Sequence, residues 1–329
     1  MLQRFVLSLC ASVAVLAQAV VNPVAPPPLQ PGDTIAIISP GSTPKMGVAE
    51  AGARVLEQWG FHTKIGLHAY SNHAMYAGTT GERVYDLVEA LRDPGVKAIV
   101  CTRGGYGSSL LLYAMDPGIF SAHPKWIVGY SDITSLHSAQ VRAGNMSIHG
   151  NMCGALAERG ADDPVNRRLR DVLLGLRPTY TVPAHPLNHH GRAEGILVGG
   201  NMAVMSNLAG SEPYDFLDRD FVAGRNIVLF FEDVSESMPR VVSMLYQLKL
   251  KGVIDRVKGI IVGRFTDYTP GYGYADMAQL LDEYLQGYGI PICYDFPASH
   301  DESWNYPLIE GCPVTLNVDE NAVTLVFNE

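Results

Sequence analysis

The stretch "KWIVGYSDITSLHSAQ", residues 125–140, decides how the rest of the chain is read. Trp126, Ile127 and Val128 form a short apolar run, as in a strand buried on both faces. Gly129 and Tyr130 close it, Ser131 and Asp132 follow, and a helical pattern begins at once. A strand that turns sharply into a helix is the repeating unit of a parallel α/β sheet. A serine at such a corner has two readings. Its hydroxyl can cap the helix by accepting a backbone N–H, a task Asp132 could also perform. Alternatively it is a nucleophile on a strained strand-to-helix turn, with Gly129 relieving the crowding. The second glycine of G-x-S-x-G is missing here, so the corner alone does not choose.

The same unit recurs upstream. Residues 33–42, "DTIAIISPGS", read as a buried strand and a turn. In "GVAEAGARVLEQWG" the residues Val48, Ala51, Val55 and Trp59 recur at helical spacing, and Gly60 ends the helix. "HTKIGLH" is a further strand, "GERVYDLVEALRD" a helix stopped by Pro94, and "VKAIVCT" a strand running into the glycine-rich "RGGYGSS". The pattern predicts an α/β fold with a parallel sheet. Ligands in such sheets bind beyond the carboxyl ends of the strands. Ser39, Arg103 to Gly105, and Ser131 all fall there.

Residues 177–194 are rich in Pro, His and Gly and read as a linker. The expected division is a leader at 1–19, a proline-rich lead-in at 20–31, and an N-terminal domain at 32–176. A more strand-rich C-terminal domain follows at 195–329. It shows four strand-like runs or pairs and one clear helix, "MPRVVSMLYQLKLKG", with Pro239 in its first turn and Gly252 at its end. "PVTLNV" and "AVTLVF" read as a terminal hairpin.

Composition narrows the function. Of 329 residues, 47% are hydrophobic and 17% charged, and the net charge is -9. That fits a protein with a real core and, without a long Lys/Arg cluster, argues against a nucleic-acid partner. Met1 to Arg4 is short and basic, Phe5 to Leu16 mostly apolar, and Ala17-Gln18-Ala19 an A-x-A cleavage site. Together they read as a secretory signal peptide, too short for a comfortable membrane span. The expected location is periplasmic or secreted, with the cytoplasm as the alternative. Cys101, Cys153, Cys293 and Cys312 show no close-spaced metal or redox pair and read as buried thiols, though one disulfide is open to an exported chain. His185, His189 and His190 sit in a polar segment without a completing acidic or Cys ligand, so no metal is expected.

A nucleophilic serine needs a base and a group that orients the base. His137 lies six positions along the same helix, about 9 Å of rise away, and cannot return to the corner. His149 in "SIHGN" and His300 in "DFPASH" are the remaining candidates, each after a strand-like run. For the orienting acid, "NIVLFFEDVSE" offers Glu232, Asp233 and Glu236. Glu232 directly follows five apolar residues, and an ionised group at that edge needs a partner.

Five segments in this order resemble one family: "RGGYGSSLLLYAMD" (103–116), "GYSDITSLH" (129–137), "GILVGGNMAVMSNLAGS" (195–211), "LFFEDVSE" (229–236) and "DFPASH" (295–300). They are similar to the serine L,D-carboxypeptidases of the muramoyltetrapeptide carboxypeptidase family, which also contains microcin C-resistance enzymes. The resemblance spans nearly the whole chain after the leader. It implies a Rossmann-like N-terminal domain with a smaller, β-rich C-terminal domain, a Ser-Glu-His triad of Ser131, Glu232 and His300, no metal or other cofactor, a site between the two domains, and a homodimer. It also implies cleavage of the bond to terminal D-Ala in a murein tetrapeptide. On that basis the N–H of Asp132 and of Gly104 or Gly105 are candidate oxyanion donors. Arg103 is the candidate for the substrate carboxylate. The chain departs from the family around His300, where "HDESWNYPLIEG" places Trp304 as a candidate substrate contact, and at Asn151, where proline is more usual. Two rivals stay open: a peptidyl-nucleotide amidase of the microcin type, which Trp304 would favour by stacking, and an exported peptide-binding protein without chemistry.

Overall fold

A computed structural model describes residues 22–329; the leader expected at 1–19 lies outside the described residues. The first half alternates strands and helices as its pattern demands. Strands β1 (Thr34–Ile38), β2 (His62–Ile65), β3 (Val96–Cys101), β4 (Trp126–Gly129) and β5 (Ser147–His149) are all parallel. β6 (Thr179–Pro183), β7 (Gly191–Asn201), β8 (Ile227–Val234), β9 (Gly259–Thr266) and β10 (Ile292–Phe296) belong to a second sheet. The chain then returns to the first sheet as β11 (Leu308–Glu310), antiparallel to β5. It finishes in the second with β12 (Pro313–Val318) and β13 (Ala322–Phe327), the predicted hairpin. The strand orders are β11-β5-β4-β3-β1-β2 and β10-β9-β8-β7-β12-β13-β6.

Two sequence expectations are corrected here. Residues 177–194 are not a free linker. Thr179–Pro183 is an edge strand with Tyr180 and Val182 buried, and Gly191 already opens β7. Its Pro183 and flanking polar residues are tolerated because an edge strand leaves one backbone side unpaired. The C-terminal domain carries more than one helix. Met277–Leu285 buries Met277, Leu280, Leu281 and Leu285, and its Asp276 cap accepts from the Gln279 N–H. The proline-rich lead-in, where described, packs down: the Trp126 indole donates to the Pro27 carbonyl and Leu29 is fully buried.

The two sheets meet at the Ser131 corner. Asn201, at the end of β7, donates its N–H to Thr134 Oγ1 at 3.0 Å. A Cβ on Gly200 would lie 2.5 Å from that same oxygen, and Gly200 has a φ of +133°. Glycine is therefore required for β7 to reach the corner helix. Gly200→Ala is expected to destabilise the protein by roughly 2–4 kcal/mol, through overpacking and strain. A thermal melt indistinguishable from wild type would refute this account of the domain contact. Among the described residues no helix is long and apolar enough to cross a membrane.

Candidate active site

Ser131 takes a φ of +63°, in the left-handed region. For a residue with a Cβ that region costs roughly 1–2 kcal/mol. The strain is imposed from both sides. Gly129 is packed so closely by Ile133 that a Cβ there would lie 2.7 Å from its side chain. Asp132 is buried, and its Oδ2 accepts the Ser108 N–H at 2.9 Å while its backbone oxygen accepts from Ser108 Oγ. Asp132 thus fastens the turn to the glycine-rich loop, and neither it nor Ser131 caps the helix that follows, which has no side-chain cap. Burial pushes its carboxyl above the usual range, against the hydrogen bonds from residues 107 and 108.

The glycine-rich loop lies over this corner. A Cβ on Gly104 would be 3.1 Å from Ser131 Cβ and 3.2 Å from the Asp132 nitrogen. Gly105 has a φ of +93° and sits against Ser42. Beneath the loop the buried Arg83 donates to the carbonyls of Pro40 and Gly107 at 2.7 and 2.8 Å, with its guanidinium over the Tyr76 ring. Arg83 therefore supplies the structural tie under the loop. Arg103 is exposed, and no hydrogen bond or ion pair engages its side chain among the described residues.

His300 and Glu232 come from the second domain, 68 residues apart in the chain. His300 Nδ1 lies 2.6 Å from Glu232 Oε2; the glutamate is fully buried and the imidazole 15% exposed. A carboxylate only accepts, so Nδ1 holds the proton and Nε2 offers its lone pair. Among the described residues Nε2 has no partner. Burial disfavours the imidazolium, but Glu232's charge and hydrogen bond, with Asp233 and Glu302 behind them, outweigh it and raise the His300 pKa. Asp233 points the other way. It accepts from Asn201 Nδ2 and from the N–H of Ala203 and Val234, and burial beside Glu232 pushes it up to about 6.

Ser131 and His300 line one cleft of about 700 Å³, together with Lys45, Arg103, Gly104, Gly105, Tyr130 and Glu302. The Tyr130 ring stands edge-on to the His300 ring at 5.1 Å, and its hydroxyl donates to Glu302 Oε1 at 3.3 Å. Neither Tyr130 nor Glu302 was singled out in the sequence. The adjacency of Tyr130 to the serine was the available signal.

Three other candidates lie elsewhere. His149 is wholly buried, packs against Phe230 and Tyr130, and is held neutral by burial. His137 is buried too, with its ring nitrogens on Ser147 Oγ and the Gly129 carbonyl. Trp304 is outside the cleft lining; its ring lies under the Arg264 guanidinium at 4.6 Å and beside Tyr306. His189 Nε2 bonds Asp282 at 2.7 Å, while the His185 ring packs by Tyr294. The four described cysteines are buried free thiols.

Two α/β domains closing on a cleft that presents a strained serine and a glutamate-held histidine make a hydrolase architecture. The chain belongs to the LD-carboxypeptidase family: residues 35–150 match the family's N-terminal domain and residues 194–316 its C-terminal domain. It is an enzyme of the serine carboxypeptidase type, a hydrolase. A protein of Bacillus subtilis named "Probable murein peptide carboxypeptidase" is 32% identical over 283 residues, covering 84% of this chain and 86% of that protein. The murein tetrapeptide carboxypeptidase of Pseudomonas aeruginosa is 31% identical over 286 residues, covering 83% and 90%. The crystal structure of muramoyltetrapeptide carboxypeptidase from Oxalobacter formigenes superposes with a TM-score of 0.80 at 24% identity, covering 90% of this chain and 99% of that one, a likeness of fold.

Proposed function

We propose that this enzyme hydrolyses the L,D-peptide bond to terminal D-Ala in murein peptides through an acyl-enzyme. The observation that carries the reading is that His300, whose Nε2 is unpartnered among the described residues, lines one cleft with the left-handed Ser131 while Glu232 holds the opposite ring nitrogen. His300 Nε2 takes the Ser131 proton as Oγ attacks the carbonyl carbon. The proton passes to the leaving amine as the C–N bond breaks and D-Ala departs. Water, deprotonated by the same nitrogen, then cleaves the ester. Glu232 keeps the tautomer and stabilises the imidazolium. The N–H of Asp132 and of Gly104 or Gly105 receive the oxyanion; losing one such donor costs about 10²–10³ in rate. The substrate preference follows the names of two of the relatives above 30% identity.

Arg103 binds the terminal carboxylate, for which its unpaired guanidinium is suited. Arg103→Ala is expected to raise KM by about 10–100-fold, since a hydrogen bond to a charged group contributes about 1.5–3 kcal/mol. An unchanged KM would assign the carboxylate to another group, with Lys45 as the next cleft cation.

Purified protein incubated with a murein tetrapeptide should release D-Ala and leave a tripeptide by mass. Intact tetrapeptide, with cleavage of a peptidyl-adenylate instead, would favour the microcin-type reaction. Trp304 gives that reading no support from its position under Arg264. Binding without turnover of either would favour the exported binding protein. Export after cleavage at Ala19 and assembly as a homodimer belong to the same proposal. N-terminal sequencing of the mature protein and sedimentation check them.

A further inference from the structure

Ser131 stands on the first sheet, whereas His300 is held by Glu232 on the second, so the loop that carries the base must be tied to the corner that carries the nucleophile. A chain of buried amides makes that tie. His300 lies in the connection 297–307 between β10 and β11, and the Tyr306 N–H closes it by donating to the Pro297 carbonyl at 2.8 Å. Asn151 follows β5, where the Gly150 N–H donates to the Gly129 carbonyl at 2.9 Å, just before Ser131. Asn151 Nδ2 donates to Asn166 Oδ1 at 3.0 Å and to the Glu302 carbonyl at 3.2 Å, and its Oδ1 accepts Asn305 Nδ2 at 3.2 Å. Asn305 Oδ1 in turn accepts the Ser299 N–H at 3.3 Å, and Asn166 Nδ2 donates to the Gly160 carbonyl at 2.9 Å. Asn151 is buried, and Asn166 and Asn305 are wholly so. The direction of the chain is fixed, since turning the Asn151 amide over would set its oxygen against two other oxygens. A buried polar chain satisfied along its length favours one geometry, and loss of one member leaves its neighbours unpaired.

We infer that Asn151 is a positioning residue for the hydrolysis, setting the place of His300 relative to Ser131; this rests on those two side chains acting as base and nucleophile. The bonds it organises fall on both sides of the histidine, at Ser299 through Asn305 and at Glu302 directly. Glu232 orients the imidazole, but it stands on β8 of the second sheet and does not by itself fix the distance to a serine on the first. Asn151 follows a strand that pairs with β4, the strand leading to Ser131, and so carries the reference frame of the nucleophile across to the base. It acts through the loop and not on the reacting atoms.

The test measures kcat and KM on a murein tetrapeptide, per folded enzyme. Asn151→Ala should lower kcat by about 10²-fold, the scale of a roughly 1 Å misplacement of a reacting group. KM should stay within about 3-fold, because Arg103 and the cleft walls are untouched. Asn305→Ala breaks the same chain from the loop side and should lower kcat comparably, and the double variant should be little worse than either single one. Asn145→Ala controls for lost stability: it removes another buried amide of the first domain, bonded to the Phe120 carbonyl at 2.7 Å, and should leave kcat unaltered. A kcat for Asn151→Ala within about 2-fold of wild type, or additive losses in the double variant, overturns the inference. If Asn151→Ala fails to fold, Asn305→Ala decides by the same split of kcat from KM. The rate at which a fluorophosphonate labels Ser131 needs the base but no peptide, and it should fall in Asn151→Ala as kcat does. Should wild type cleave no murein peptide yet take up the probe at Ser131, the substrate assignment fails and the labelling ratio decides the positioning. Neither labelling nor hydrolysis would sink both.

Discussion

Ser131→Ala is expected to abolish hydrolysis, lowering kcat on the order of 10⁵–10⁶-fold, while the fold and peptide binding persist. Loss of a nucleophile that acts in concert with a base removes nearly the whole effect of the set, leaving only binding and the oxyanion donors. The alanine keeps a Cβ, so the turn keeps its strain. Retained turnover would exclude Ser131 as nucleophile. A companion variant separates chemistry from stability. Ser131→Gly relieves a left-handed residue of about 1–2 kcal/mol of strain and gives back roughly 0.5–1 kcal/mol in unfolded-state entropy. It should be equally inactive but more stable, by about 0.5–1 kcal/mol, which equilibrium denaturation would resolve. A strained functional residue traded against stability is a general pattern.

Glu232→Gln should reduce kcat by about 10⁴-fold, the scale seen when the orienting acid of such a triad is neutralised with its geometry kept. The sign of its pH effect follows from the site. Catalysis needs neutral His300. Against the desolvation that lowers it, Glu232 and the neighbouring acids hold its pKa above the ordinary histidine value. The acid limb of kcat/KM in the wild type should therefore lie above about pH 6.5. Removing the Glu232 charge leaves burial opposed only by Asp233 and Glu302, so the limb should move to lower pH in the variant even as the plateau falls. The same shift has a stability sign: a raised histidine pKa favours the fold below the unfolded pKa and loses that contribution as pH rises through the folded one. An acid limb that stays put in Glu232→Gln would separate Glu232 from the base.

Much of the architecture was legible because local pattern encodes burial. Ile35, Ile37, Val100 and Val128 stand in runs that a doubly covered parallel strand requires, and all are fully buried. The helix Thr80–Arg92 begins with the capping box its Thr79 and Glu82 spell out. The edge strand Thr179–Pro183 was hidden because proline, histidine and glycine dominate its surroundings. The turn-back of Leu308–Glu310 into the first sheet was hidden because three residues carry too little periodicity to assign.

By itself the sequence determined that a serine, a glutamate and a histidine each end an apolar run, where parallel sheets expose their functional side chains. It did so because strand burial and turn chemistry are properties of a few neighbouring residues. Only the tertiary structure decided that Ser131 is left-handed, that Thr134 ties the corner to Asn201, and that Trp304 stands aside while Glu302 faces the cleft. Those outcomes depend on contacts between segments tens to more than a hundred residues apart, and their geometry is set by how two sheets pack, which no local pattern records.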